Sequence, residues 1–231
     1  MDKMNIINNI ILVVPYTLLI ALLILLIGLF GGAIVAFIRS KDYVFISSIL
    51  NLYVSFTRGV PIVVQLLIGQ ALLPKVIETL CKLIGKEYQQ QNFPILLVVL
   101  ICYGSYQIVL ESENLRGIYQ AIDIAQLEAG YSIGLTTNQI LRRIVIPQLL
   151  PTAFPIVLNS LLKIVKSLSV AFLIGFVDIM AEARYEAALS SEYIFSFFVA
   201  GIIYWIICLF FQFLISVFHR DYTIPKNLRS F

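Results

Sequence analysis

Two lysines stand inside a long apolar run, and their charges are the clearest chemical signal in the sequence. Lys163 and Lys166 interrupt the run from Thr152 to Val177, three residues apart and on roughly one face of a helix. A charged side chain in a membrane span costs at least about 2.5–3.5 kcal/mol, so it indicates a functional site. Lys166, with the hydroxyl groups of Ser167 and Ser169 beside it, could bind a carboxylate. The alternative is structural: the lysine reaches an interface or a backbone carbonyl, which is the favoured interpretation for Lys163.

Other reactive residue types do not form a pattern that supports catalysis. The single His219 and the three cysteines (Cys81, Cys102 and Cys208) stand far apart, so neither a metal site nor a disulfide framework is indicated. The sequence has no Walker A run, and no nucleophile, base and acid occur together. We therefore predict that the chain is not an enzyme and holds no metal or cofactor of its own.

The composition is that of a membrane protein. Hydrophobic residues make up 60% of the 231 positions and charged residues 13%, whereas soluble domains carry about 25% charge. Apolar runs predict five transmembrane helices, near residues 10–38, 43–73, 93–110, 152–177 and 193–218. The first run is longer than a signal-peptide core and ends at Arg39, so it is predicted to be retained. The predicted fold is an all-α membrane protein, a single domain over residues 1–231.

The second predicted span is interrupted. Within it, the polar and turn-prone stretch Thr57–Pro61 breaks the apolar run. Non-helical backbone at membrane depth is tolerated only where protein or a water-filled cavity satisfies its free polar groups. Arg58 lies in this break, and two interpretations stay open. It either clamps the break by donating to free carbonyls, which is favoured, or faces a pathway.

Positive charges indicate the orientation of the chain. With five spans the termini lie on opposite sides, and one side then holds eight Lys and Arg residues against five on the other. Since cytoplasmic loops carry the excess of Lys and Arg, the N-terminus is predicted outside and the C-terminus in the cytoplasm. The net charge of +3 is scattered rather than gathered in a patch, which argues against a nucleic-acid partner.

The longest predicted non-spanning stretch runs from Glu111 to Pro151 and contains two short helices. Residues 121–135 suggest the first helix and residues 136–146 the second, where Thr136 and Gln139 have the spacing of a capping box. Small residues would let another surface approach closely; these are Ala129, Gly130 and Gly134. From the helical pattern alone, a docking site for a partner and an ordinary connector remain equally plausible.

A longer pattern decides between these interpretations. Glu128-Ala129-Gly130 is followed after three residues by Gly134, and after nine more by Ile144-Val145-Ile146-Pro147. This closely resembles the EAA loop of ABC-importer permeases: E-A-A, three residues, G, nine residues, I, one residue, L-P. The resemblance implies a coupling loop, residues 121–147, that inserts into a cleft of a cytoplasmic ATPase and transmits its closure to the spans. Its coupling residues would be Glu128, Ala129, Gly130, Gly134, Ile144 and Pro147.

Two further stretches extend the resemblance over nearly the whole chain. Arg58–Gln65 is similar to the R-G-T-P-L-L-V-Q stretch of the polar amino-acid branch (histidine/glutamine permease-like), and Ser112–Gly117 resembles its S-E-x-x-R-G run. The resemblance implies the type I ABC importer permease fold in a bacterial inner membrane. It also implies three protein partners: an ATPase that binds ATP and Mg²⁺, a solute-binding protein, and a second permease copy. Gly130, in place of the second alanine, is expected to make the first docking helix less rigid.

Comparison with that branch also narrows the substrate. Many members carry K-D-T-S where this chain has Lys166-Ser167-Leu168-Ser169, and Glu where it has Ser55. Both carboxylates that could hold a cationic side chain are missing, which argues against arginine, lysine or histidine. Residues 169–180 most resemble cystine-type permeases. The resemblance implies a polar, non-cationic amino acid, with L-cystine the specific candidate, and a pathway lined by Lys166, Ser167, Ser169, Ser55 and Arg58.

The main alternative is a secondary amino-acid transporter that works without an ATPase. Such proteins usually show inverted repeats and acidic ion-coupling residues inside their spans. The sequence shows no convincing repeat, and apart from Asp178 near a span end the acidic residues are predicted to lie in loops. Glu182, Glu186 and Glu192 are interpreted as solvated residues of an outer loop, or as contacts for the solute-binding protein.

Overall fold

The computed structural model describes residues 3–40, 44–120 and 122–222, and every regular element in these ranges is helical. The α-helices are α1 (Lys3–Arg39), α2 (Val44–Gly59), α3 (Ile62–Leu83), α4 (Ile95–Gln120), α5 (Ile124–Ser132), α6 (Thr137–Ile140), α7 (Ile146–Leu168), α8 (Ile179–Ser190) and α9 (Tyr193–Tyr222). Short 3₁₀ turns occupy Gln90–Asn92 and Ala171–Ile174, and a π turn at Leu141–Val145 joins α6 to α7. The predicted all-α fold class is confirmed.

Five of the described helices are long and apolar enough to cross a membrane: Lys3–Arg39, Ile62–Leu83, Ile95–Gln120, Thr137–Leu168 and Tyr193–Phe218. Their number equals the predicted number. The fifth predicted span, residues 193–218, begins where α9 begins, and α9 continues to Tyr222. Residue 43, where the second predicted span begins, and residue 121, where the predicted coupling loop begins, lie outside the described residues, as does the side chain of His219.

The second predicted span, residues 43–73, is wrong as a single unit. The chain forms α2 and α3 there, separated at Val60 and Pro61, and of these two helices only α3 has spanning length. Pro61 precedes the first residue of α3 as its N-cap, a position where its missing N–H costs nothing. Pro74 does not end the span as expected, because α3 continues through it to Leu83.

The third and fourth predicted spans also have different bounds. α4 continues past residue 110 to Gln120, because Glu111 and its polar neighbours find hydrogen-bond partners inside the bundle. α7 ends at Leu168, so the last residues of the predicted fourth span form a turn instead. That turn closes at Gly175, whose φ of +84° lies in the left-handed region that favours glycine.

α1 and α4 run parallel and in close contact at the centre of the bundle. Gly28 lies against Gln107, and Gly32, one helical turn later, lies against Glu111 and Ser112. A Cβ atom at Gly32 would be 2.8 Å from the backbone nitrogen of Ser112. Small residues four apart therefore let the two backbones meet, as is common between transmembrane helices.

α8 and α9 form an antiparallel hairpin that packs against the first turns of α1. Asn9 Nδ2 donates to Glu186 Oε1 at 2.8 Å, and Glu186 is only 2% exposed. The prediction that Glu186 is solvated is therefore wrong. Its cause is the length of α1, which begins before the predicted residue 10 and covers this carboxyl group with its additional turns.

Asp178 is fully buried where α8 begins. Its Oδ1 accepts a hydrogen bond from the Ala181 N–H at 2.9 Å, and its Oδ2 accepts one from the Tyr204 hydroxyl at 3.0 Å. The first contact caps α8 and the second joins α8 to α9. Burial raises the pKa of Asp178 above the ordinary aspartate value, although these hydrogen bonds oppose the shift.

Candidate functional site

The two short helices predicted between the third and fourth spans are α5 and α6. Asp123 caps α5, its Oδ1 accepting the Ala125 N–H at 2.9 Å. Gly134, with a φ of +82°, closes the end of α5 in the left-handed region. The capping box at the start of α6 is confirmed: Thr136 Oγ1 accepts the Gln139 N–H, and Gln139 Oε1 accepts the Thr136 N–H at 2.8 Å.

Gly130 lies in the small apolar core that holds α5 against α6 and the π turn. A Cβ atom there would be 3.2 Å from Ile140 Cγ1 and 3.2 Å from Ile144 Cδ1. The glycine thus admits side chains of its own chain, whereas sequence reasoning expected it to admit a partner. Ile144 serves the same internal packing, around the buried residues Ile122, Ile140 and Val145.

The outer surface of this loop is exposed and apolar in places. Glu128 and Ala129 are exposed, as are Gly134 and Pro147. Three large apolar side chains of α5 and its C-terminal cap are also exposed: Ile124 at 68%, Tyr131 at 52% and Ile133 at 77%. Exposed apolar side chains of this size on one short segment are typical of a surface that binds another protein.

The π turn at Leu141–Val145 lies two residues before Pro147, the second residue of α7. Proline has no N–H to donate to the carbonyl four residues earlier, so an ordinary α-helical turn is interrupted there. The turn nevertheless leaves α6 and α7 continuous, and the pair counts as one apolar helix from Thr137 to Leu168. The coupling loop is therefore joined to a membrane span without a flexible linker.

The S-E-x-x-R-G stretch connects α4 to two other helices. Glu113 pairs with Arg39 at the end of α1, and with Arg116 on its own helix at 2.8 Å. Asn114 Nδ2 donates to Ser160 Oγ on α7 at 3.3 Å and to Glu111 Oε2 at 3.1 Å. Sequence reasoning missed Glu111 and Asn114 because it assigned residue 111 and those following it to a loop, and it missed Ser160, inside the fourth predicted span, because no partner for it was apparent.

The break between α2 and α3 is clamped by Gln65. Its Nε2 donates to the Val60 carbonyl at 2.8 Å and to the Thr57 carbonyl at 3.1 Å. Arg58, the favoured candidate for this clamp, has an exposed side chain instead. The sequence does contain a signal for this role of Gln65. The residue lies one helical turn after Pro61, so its side-chain amide can hydrogen-bond to carbonyl groups that have no helical partner at the break.

The predicted pathway residues divide into two groups. Lys166 is exposed near the end of α7, as is Lys163 one turn earlier. The Ser167 hydroxyl donates to the Ile164 carbonyl at 3.0 Å and the Ser169 hydroxyl to the Lys166 carbonyl at 2.6 Å, so both oxygens are left to act as acceptors. Ser55 and Arg58 are exposed on α2. Among the described residues, no hydrogen bond or ion pair joins the two groups.

Comparison with known families identifies this arrangement. The family described as binding-protein-dependent transport system inner membrane component matches residues 28–224. The chain belongs to this family. The resemblance to ABC-importer permeases is thereby confirmed, together with the prediction of a transport subunit in an inner membrane. Membership implies a solute-binding protein and an ATPase as partners, which argues against a transporter that works without an ATPase.

Similar proteins include several bacterial permeases. The L-cystine transport system permease protein TcyL of Bacillus subtilis is 32% identical over 92% of this chain and 86% of its own. The nopaline transport system permease protein NocM of Agrobacterium fabrum is 30% identical over 94% and 88%. A solved amino acid ABC transporter superposes with a TM-score of 0.76 at 24% identity, covering 96% of this chain and 99% of that one. The type I importer permease fold is confirmed.

The permease has an open groove at the end of the bundle opposite the coupling loop. The groove has a volume of about 660 Å³ and lies between the Ala171–Ile174 turn and α8. Arg184 lies on its wall, with the guanidinium 4.9 Å from the centre of the Phe172 ring. Glu182 lines an adjoining cavity, and burial, together with the nearby Glu186, raises the pKa of its carboxyl group.

Proposed function

We propose that this permease is the membrane subunit of an ATP-driven importer of a polar, non-cationic amino acid, and that its substrate is L-cystine. The observation that carries the proposal is the coupling loop. Its second capped helix, α6, is continuous with a membrane span, and its first, α5, packs against α6 and carries Glu128 and exposed apolar side chains. A helix that ends in such a surface transmits the movement of a docked protein to the membrane.

The docked protein is the ATPase, which supplies ATP and Mg²⁺ binding. The coupling residues that face the ATPase are Glu128, Ala129, Gly134 and Pro147. Gly130 and Ile144 instead pack inside the loop and hold its two helices together. This assignment places the coupling loop and the C-terminus in the cytoplasm and the N-terminus outside. The Arg184 groove then faces the solute-binding protein.

A second permease copy completes the pathway. Lys163 and Lys166 are exposed in the single chain, and a charged side chain facing lipid at this depth is unfavourable. A polar face of this kind favours a water-containing cavity between two permease chains. Lys166, with the acceptor oxygens of Ser167 and Ser169, would bind the carboxylate and ammonium groups of an amino acid there, and Ser55 and Arg58 would line the same cavity from α2.

One observation argues against a cationic substrate, and a second favours cystine. Serine occupies positions 55 and 167, where many members of the branch carry carboxylates that suit a cationic side chain. TcyL, a permease of an L-cystine transport system, is similar over most of both chains.

Reconstitution of the permease with its ATPase and solute-binding protein in proteoliposomes tests the proposal. We expect ATP-dependent uptake of labelled L-cystine, no uptake when ATP is omitted, and little competition by L-arginine. Substitution of Glu128 by Lys should abolish uptake, because it reverses the charge at the docking surface. Uptake without the ATPase would contradict the importer, and preferred uptake of arginine would contradict the substrate.

A further inference from the structure

A chain of buried polar side chains links α4 to α7 inside the bundle. Gln107 Nε2 donates to Glu111 Oε1 at 2.6 Å, and Asn114 Nδ2 donates to Glu111 Oε2 at 3.1 Å. Asn114 Nδ2 also donates to Ser160 Oγ at 3.3 Å, so the amide group uses both hydrogens. Glu111, Gln107 and Ser160 are 1%, 3% and 4% exposed. Asn114 is half-buried, so the polar chain lies in the interior except at the residue that contacts α7.

Such a cluster is costly in a membrane unless every member is satisfied. A buried acceptor that loses its partner costs about 1–3 kcal/mol, and more when it is charged. Both oxygens of Glu111 accept from neutral amides, and among the described residues no salt bridge reaches this carboxyl group. One directional bond of this cluster, from Asn114 to Ser160, crosses from α4 to α7, and Glu111 on α4 holds the Asn114 amide in place for it. A slide of either helix would break this bond.

The position of this cluster connects it to coupling. α4 leads into the coupling loop and α7 leads out of it, so the Asn114–Ser160 contact joins the two helices that carry the loop. Nearer the other end of these helices, the Tyr103 hydroxyl donates to the Ser167 carbonyl, beside Lys166. The two contacts connect antiparallel helices at two levels, one toward the coupling loop and one at the predicted pathway residues.

We propose that Glu111, Asn114 and Ser160 are positioning residues for energy coupling. They form a clamp that makes α4 and α7 move as one body when the ATPase closes on the coupling loop. Without the clamp, apolar helix surfaces slide past each other and part of the ATPase movement is lost before it reaches Lys166. This inference rests on the proposed ATP-driven import and adds to it the element that transmits the movement.

Ser160→Ala tests the clamp, with Ser112→Ala as the matched control. Both serines are buried, at 4% and 1% exposed, but the Ser112 hydroxyl donates only to the Val109 carbonyl of its own helix, at 2.8 Å. In proteoliposomes, ATP hydrolysis and substrate uptake are measured together. We expect Ser160→Ala to raise the ATP hydrolysed per molecule imported at least about threefold, and Ser112→Ala to leave this ratio unchanged. A purely structural role would lower hydrolysis and uptake in parallel, so an unchanged ratio in Ser160→Ala overturns the proposal.

A second measurement does not depend on the substrate. Thermal unfolding of the purified permease is compared for Ser160→Ala, for Asn114→Leu, which has similar size but no amide, and for the double variant. Interacting residues give non-additive effects, so the double variant should lose less stability than the two single losses combined. Additive losses overturn the clamp. If the wild-type complex fails to import the amino acid while the cycle is non-additive, the proposed function fails and the clamp geometry stands.

Discussion

Gln65 determines how the chain passes from α2 to α3 inside an apolar bundle. It donates to the two carbonyls that the break sets free, and few other donors could reach them without water. Gln65→Leu keeps the volume but removes both hydrogen bonds. We expect it to lower the free energy of unfolding by about 1–3 kcal/mol, the cost of unsatisfied buried acceptors. Thermal unfolding in detergent measures the loss.

Arg58→Ala is the control for this prediction, since Arg58 lies in the same break but has an exposed side chain. Its substitution should change the melting temperature little. If Arg58→Ala destabilises the permease as much as Gln65→Leu does, the assignment of the clamp to Gln65 is incorrect.

The buried carboxyl group of Asp178 makes the stability of the folded permease depend on pH. Burial raises its pKa in the folded state above the ordinary value of 3.8, so the folded state favours the protonated carboxyl. The resulting stabilisation is present below pH 3.8 and is lost as the pH rises through the raised pKa. In Asp178→Asn the side chain keeps an oxygen that can cap α8, but it has no group that can ionise. We expect the variant to lack this part of the pH dependence when melting temperatures are compared across that range, and equal slopes for the two proteins would refute the assignment.

Among the elements, α1 and α4 depend on the absence of side chains where they meet. Gly32→Ala would place a methyl group 2.8 Å from backbone nitrogen of Ser112, which cannot rotate away. We expect a destabilisation of about 1–3 kcal/mol from this overpacking. Gly201→Ala in α9 is the control, because a Cβ there meets nothing within 4 Å. That change should be neutral or stabilising, and equal losses in the two variants would rule out the close approach as the cause.

The sequence predicted those elements whose signals are local. The capping box of α6 needs only Thr136 and Gln139, and the start of the fifth span follows from a continuous apolar run. The bounds of α4 could not be obtained in this way, since Glu111 is tolerated in a span only through Gln107 and Asn114, and the burial of Glu186 depends on α1. Both the end of α4 and the burial of Glu186 depend on contacts between residues that are far apart in sequence.

For the molecule as a whole, the coupling surface is the feature with the largest expected effect. Ile133, 77% exposed at the C-terminal cap of α5, should contact the ATPase, whereas Leu83, 78% exposed at the opposite end of the bundle, should not. We expect Ile133→Ser to weaken co-purification of the ATPase about tenfold, equivalent to about 1.4 kcal/mol of lost apolar burial. Leu83→Ser provides a control of equal exposure. Equal retention of the ATPase by both variants would place the docking surface elsewhere.

The contact between Asn9 and Glu186 has a consequence for biogenesis. The two residues are 177 positions apart in sequence, yet they seal the same end of the bundle. α1 is synthesised before α8 and α9, and its first turns, which contain Asn9, complete their packing only when α8 and α9 follow. A helix made early in synthesis is thus among the last to reach its native packing. Chains truncated before α8 should therefore remain targets of membrane quality control even though four of the five spans are present.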